Sequence, residues 1–253
     1  MRKKLIISNW KDNISTPAQA EGLLESINGY LDARGEGVEF SLVFCPTLKL
    51  VEDISGLLKE GHLEHEAELG VQDIELGDDV KFSGAVLNKL GVRYVIVGHS
   101  DRRWKMGESD ETVNRKLKTV LANEMIPIVC IGERERDPST DSGQVCKNFL
   151  EKQIQATFTG LSADDISKCV IAYEPVWAIS TTPGARPDKP EDTLEIFKFI
   201  KNTLIGNLPE VLYGGSITSA NAADFLNHDE INGLLIGSAS VNKGEFISIL
   251  SKL

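Results

Sequence analysis

Positive charge is scarce in this sequence. Lys and Arg number 27 against 38 Asp and Glu, giving a formal net charge of −11. A broad basic face for gripping nucleic acid is therefore excluded, because that mode needs clustered Lys and Arg. An anionic small molecule can still be bound if one lysine or a helix N-terminus focuses positive potential locally. Long apolar runs are also missing: none approaches the roughly 18 residues a membrane span needs. The N-terminal Met1-Arg2-Lys3-Lys4 leads into only three apolar residues, Leu5-Ile6-Ile7. That is too short for a signal-peptide core and reads as a first strand. Cysteine is limited to Cys45, Cys130, Cys146 and Cys169, without paired metal-binding spacing. Reduced thiols and a cytoplasmic setting are expected. Linkers and low-complexity tracts are absent, so residues 1–253 are expected to form one domain.

What is present is a soluble, globular composition, with 41% hydrophobic and 26% charged residues in a chain long enough to bury a sizeable core. Eight short apolar runs recur along it: Leu5 to Ile7, Phe40 to Phe44, Ala67 to Val71, Tyr94 to Val97, Ile126 to Ile131, Val170 to Tyr173, Val211 to Tyr213 and Ile231 to Ile236. Several are nearly continuous in Val, Ile and Leu, as in strands covered on both faces.

The intervening segments have helical periodicity. Val113, Leu117, Val120 and Leu121 form one apolar stripe, and Leu194, Phe197, Ile200 and Leu204 another. Thr16-Pro17-Ala18-Gln19 reads as a capping box with proline at the first helical position, and Ser162 to Asp165 as a weaker start of the same kind. Eight strand–helix units average roughly 32 residues each, close to one β-α-β unit. The expected fold is a single (β/α)8 TIM barrel. An open doubly wound sheet would usually carry glycines after its first strand; Asn9-Trp10-Lys11 stands there instead.

A barrel of this kind keeps its chemistry at the C-terminal ends of its strands. Those positions hold Asn9 and Lys11, His99, Glu174, Gly214-Gly215-Ser216 and Gly237-Ser238. The set suits proton transfer on a small anion. Glu174 ends a buried strand, where a carboxylate either bonds backbone or does chemistry; Pro175 stiffens the exit behind it and favours a general base. His99 opens a polar run, Ser100-Asp101-Arg102-Arg103, that reads as a short helix. A helix N-terminus there would lower the histidine pKa and leave a neutral imidazole able to donate a hydrogen bond. The two glycine-containing turns after the seventh and eighth strands can cradle a phosphate or simply make tight turns. His62-Leu63-Glu64-His65 lacks a partner ligand at a recognisable spacing, so no metal is expected. Glu133 to Asp137 reads as a solvated charge run, with Glu133 itself supporting the site.

Together these stretches resemble the triosephosphate isomerases. The matching segments are Asn9 to Lys11, Gly98 to Arg103, Gly107 to Asp110, Cys130 to Glu133, Ala172 to Ile179, Tyr213 to Ser216 and Gly237 to Ser240, in the family's order. The resemblance implies interconversion of dihydroxyacetone phosphate and glyceraldehyde 3-phosphate through an enediolate. It implies Glu174 as the base, His99 and Asn9 as hydrogen-bond donors to the oxygens, and Lys11 as fixed charge, with no metal or organic cofactor. It further implies a lid after Glu174, hinged at Pro175, Val176 and Trp177 and latched by Tyr213 and Ser216. Ser180, Ser216, Gly237 and Ser238 would hold the phosphate, and Asp101 and Glu133 would support the site. A homodimer is implied as well.

Departures from the family pattern cluster at the lid. Ser180-Thr181-Thr182-Pro183 replaces a glycine-containing stretch, and the segment before Pro190 is about three residues longer than usual. Ser238 stands where a second glycine is usual; at positive φ it would cost about 1–2 kcal/mol. Asp101 replaces a usual glutamate. The third loop, Gln72 to Val92, is short and contains Gly77-Asp78-Asp79-Val80. The longer lid raises an isomerase of a four-carbon keto-sugar phosphate, such as erythrulose 1-phosphate, as an alternative. An inactive sugar-phosphate-binding barrel is a further one, against which the retained Asn9, Lys11, His99 and Glu174 argue.

Overall fold

The computed structural model describes residues 3–35, 40–63, 65, 67–77, 80–135, 142–204 and 209–253. Met1 and Arg2, Glu64 of the paired-histidine stretch, Asp78 and Asp79 of the third loop, and Arg136 and Asp137 of the charge run lie outside these residues.

Eight parallel strands close into a barrel in sequence order, with β1 paired to β8. They are β1 (Lys4–Asn9), β2 (Phe40–Cys45), β3 (Ala67–Val71), β4 (Val92–Val97), β5 (Ile126–Ile131), β6 (Val170–Tyr173), β7 (Glu210–Tyr213) and β8 (Gly233–Ile236). All eight expected runs are strands. The largest boundary differences are two residues each: β1 runs on to Asn9, β4 starts earlier, at Val92, and β8 starts later, at Gly233.

The ring of helices is α1 (Pro17–Arg34), α2 (Val51–Lys59), α3 (Gly84–Lys89), α4 (Asp110–Ala122), α5 (Ser142–Thr157), α6 (Ala163–Ser167), α7 (Pro190–Thr203), α8 (Ala222–Leu226) and α9 (Lys243–Leu250). Helix α1 begins with the expected capping box, Thr16 and Gln19 each bonding the other's backbone. Ser162 and Asp165 form a second such box at α6.

Most strands are apolar on both faces because each face meets apolar partners; β3 differs, with Glu68 and Gly70 alternating with Leu69 and Val71. Leu5, Ile7, Val43, Cys45, Ile96, Ile128, Cys130, Val170, Ala172, Leu212 and Leu235 pack inside the barrel. Ile6, Val95, Val97, Ile171 and Tyr173 pack outward, in the cluster shared with the helices. The period of two then fixes what reaches the barrel mouth. Continuing 5 and 7 places Asn9 on the inward face; continuing 170 and 172 does the same for Glu174. The corresponding positions on β5 and β7 are Gly132 and Gly214. A Cβ at Gly132 would collide with the Glu174 carbonyl, and one at Gly214 would stand 2.9 Å from the Glu174 Cγ. Glycine at these two places makes room for Glu174, its backbone at the first and its side chain at the second.

All four cysteines are free and buried. No helix among the described residues is long and apolar enough to cross a membrane.

Candidate active site

The mouth of the barrel encloses a cavity of about 940 Å³. Asn9, Lys11, His99 and Glu174 line it, with Asp101, Ser180, Ser216, Gly237 and Ser238. Pro175, Val176, Trp177, Tyr213 and Glu133 stand behind this lining.

Glu174 is buried, and its carboxylate is fully engaged. The Ser100 N–H donates to Oε2 at 2.9 Å, and the Ser100 hydroxyl lies 3.5 Å from Oε1. His99 Nε2 is 3.1 Å from Oε1. Cys130 donates its thiol to the same carboxylate; burial, then the Glu174 charge, pushes that thiol's pKa well up.

His99 is fixed in one tautomer. Its Nδ1 accepts the Asp101 N–H at 3.1 Å, so the ring hydrogen sits on Nε2, toward Glu174 and the cavity. Burial is the main force lowering the His99 pKa. Glu174 and Asp101 oppose it, and Lys11 and Lys105 reinforce it. Neutrality thus comes first from desolvation rather than from the expected helix terminus. The run that follows is one π-helical turn, Asp101–Lys105.

That turn is bolted down from outside. Arg103 donates to the Gly98 carbonyl at 2.7 Å and pairs with Asp110. Arg102 reaches Asp73 at 2.9 Å and Glu108 at 3.3 Å, and buried Lys116 bonds both carboxylates, at 2.5 and 2.6 Å. Arg102 stays partly exposed, whereas Lys116 and Glu108 balance each other out of water, where breaking a pair costs of order 3–5 kcal/mol.

Lys11 has a left-handed backbone, φ 49°. The residue carries no conformational preference for that region, and the strain is about 1–2 kcal/mol. Its ammonium lies 3.0 Å from Asp101 Oδ2. Burial alone would raise the Asp101 pKa. Hydrogen bonds from Lys105 and Lys11, with the Lys11 charge, outweigh it and hold the carboxyl at about 2. Despite its shorter arm, Asp101 reaches the lysine. The Asn9 amide Oδ1 accepts the Lys11 N–H at 3.3 Å. Its Nδ2 is buried with no hydrogen-bond partner among the described residues.

Among the residues expected to hold phosphate, the Ser180 N–H donates to Ser216 Oγ at 2.6 Å, so the loop after β6 touches the loop after β7. Gly237 leads into a 3-10 turn, Ser238–Val241. Among described non-glycine residues only Lys11 and Glu124 are left-handed. Ser238 therefore bears none of the strain that its exchange for glycine could have caused.

Behind the cavity, Val176–Ala178 form a buried 3-10 turn. Glu133 is buried rather than solvated. It accepts the Trp177 indole N–H at 2.7 Å and the Tyr173 hydroxyl at 2.9 Å. Tyr213 stacks on Phe225, centroids 4.1 Å apart, and its hydroxyl bonds Asp188 near the start of α7. Of the two expected latch residues, Ser216 thus meets the tip of the loop and Tyr213 its return leg. Ser100, Cys130 and Asp188 have no role assigned from the sequence; the first two fall only within the matching segments Gly98 to Arg103 and Cys130 to Glu133. His62, without a partner by local spacing, meets Glu21 and Glu25 in the fold, with ligand atoms within 4.8 Å of one another. His62 Nδ1 lies 3.6 Å from Glu21.

Comparison with known proteins agrees with this geometry. The triosephosphate isomerase family profile matches residues 4–253. A protein of that name from Aquifex aeolicus is 35% identical over 258 positions, covering 98% of each chain. One from Roseiflexus castenholzii is 33% identical, covering 99% of this chain and 97% of the other. One from Cutibacterium acnes is 34% identical, covering 99% and 98%. A closed eight-stranded barrel, an inward glutamate facing a neutral histidine, and similarity of this extent lead to one assignment: the chain belongs to the triosephosphate isomerase family.

Proposed function

We propose that this chain interconverts dihydroxyacetone phosphate and D-glyceraldehyde 3-phosphate, with Glu174 moving a proton between adjacent carbons through an enediolate. The observation that carries this reading is the pairing of Glu174 with the Nε2–H of a neutral His99 in one cavity with Lys11 and Asn9. A proton beside a carbonyl is weakly acidic, so its removal needs a positioned base and stabilisation of the resulting charge.

In this account His99 Nε2–H and the Asn9 amide donate to the two enediolate oxygens, and the Lys11 ammonium supplies charge nearby. The unpartnered Asn9 Nδ2 is a donor awaiting an acceptor. Glu174 must leave the Ser100 N–H to reach carbon, so substrate binding exchanges one set of hydrogen bonds for another. Backbone N–H groups at Ser180 and Ser238, with Ser216 and Gly237, hold the phosphate. The lid residues Pro175, Val176 and Trp177 turn the loop over it, excluding water.

Incubation in D₂O with ketose and aldose phosphates tests the reading. Deuterium should enter the carbon beside the carbonyl of triose phosphate, seen by NMR. Exchange only with a four-carbon ketose phosphate would overturn the substrate, and no exchange with any would overturn the function.

The same reading makes the chain a single-domain cytoplasmic homodimer. Met106, 68% exposed at the barrel mouth, leaves apolar surface there for a second copy. Sedimentation at micromolar concentration should give a dimer; a monomer would overturn that part.

A further inference from the structure

The β6–α7 loop folds back on itself before reaching α7. The Thr182 N–H donates to the Ile179 carbonyl at 2.8 Å and the Ala185 N–H to the Thr182 carbonyl at 3.1 Å. Gly184 supplies the left-handed φ of 75° that the reversal needs. The return leg then meets the exit leg. The Arg186 N–H donates to the Trp177 carbonyl at 3.2 Å, and the Arg186 guanidinium carbon lies 4.7 Å from the Trp177 ring centroid. The edge of the same indole is held by Glu133 at 2.7 Å.

We propose that Arg186 is a positioning residue for the isomerisation: it clamps Trp177 from the return leg and so keeps Ile179, Ser180 and Thr181 down over the barrel mouth. This rests on the function proposed above. Indole is the strongest aromatic partner for a cation, and a planar guanidinium stacks on it. The clamp joins two points nine residues apart, so the segment between them becomes a closed loop with fewer conformations to lose on closing. Asp188, two residues on, is tied to Tyr213. The return leg is therefore fixed on both sides of Pro187, while the tip rests on the Ser180–Ser216 bond.

Holding the tip matters because the enediolate sits beside a carbon–oxygen bond to phosphate. In an open site the oxyanion pair re-forms a carbonyl, the double bond shifts by one carbon, and inorganic phosphate leaves with the electrons of the broken bond. A closed tip that grips the phosphate opposes that loss.

The test uses Arg186→Ala and Arg186→Lys with two readouts. The first is inorganic phosphate released per isomerisation turnover. The second is hydrogen exchange of the Trp177 indole N–H by ¹⁵N NMR, its signal assigned with Trp177→Phe. Arg186→Ala should raise both by about three- to tenfold, the range that loss of one cation–π contact allows. Arg186→Lys, which keeps a cation over the ring, should recover most of each. No change in either readout, or no recovery with lysine, overturns the clamp. Should Arg186→Ala fail to fold, Arg186→Met carries the same test. A wild-type protein that isomerises nothing overturns the proposed function alone, because the indole readout still decides the clamp.

Discussion

Exchanging Glu174 for glutamine should reduce isomerisation by about 10²–10⁴-fold, the usual contribution of a positioned general base. The side chains have nearly the same shape, but an amide oxygen cannot take a proton from carbon at neutral pH. Among the donors that converge on this carboxylate, the Ser100 N–H and the His99 Nε2–H face different oxygens. A glutamine can offer its oxygen to only one of them, because Asp101 holds the other ring nitrogen of His99 as an acceptor. The variant should therefore lose about 1–3 kcal/mol of stability as well, the cost of a buried donor left facing a donor. Urea unfolding measures that loss, and turnover measured on protein shown folded by circular dichroism separates the two effects. Glu174→Asp keeps the charge on a shorter arm and should retain part of the activity. Turnover of Glu174→Gln within tenfold of wild type would place the base elsewhere.

His99→Gln should lower kcat by about 10²–10³-fold, as removal of one preorganised donor to a developing oxyanion does. It should also change the pH dependence of stability. Burial holds the folded His99 below the ordinary histidine range, while the unfolded side chain titrates near about 6.5. Just below that pH the unfolded chain binds more protons than the folded one, so stability falls as pH falls. The decline stops once the folded imidazole itself protonates. Above about 6.5 both states are neutral at this position and the contribution is flat. Subtracting the urea-derived stability of His99→Gln from that of the wild type, between pH 5 and 8, should isolate this slope. A difference independent of pH would show that folding does not disfavour the imidazolium.

Much of the site was readable because a barrel keeps its chemistry where its strands end. Asn9 and Glu174 were marked by standing at the ends of their apolar runs; that Leu5 and Ile7, or Val170 and Ala172, turn inward shows only in the closed barrel. Thr16 was readable because capping is local, needing only Gln19 three residues on. What escaped depends on contacts between distant, irregular segments. Nothing near Cys130 announces that its thiol meets a carboxylate 44 residues later, and nothing near Glu133 that it leaves solvent for Trp177. Arg186 meets Trp177 only because Gly184 reverses the chain between them. The short third loop and the altered lid were legible as differences in length, but their geometry was not. The neutrality of His99 was expected for a secondary reason: sequence displays a turn following the histidine, but burial becomes visible only when the barrel closes around it.

Lys11 carries a further implication. Glycine in its place would relax the backbone and give up the ammonium beside Asp101 in the same step. Robustness and turnover therefore pull this position in opposite directions. A directed-evolution campaign rewarding only endurance of heat would discard the lysine early, whereas one that also demanded product would keep it.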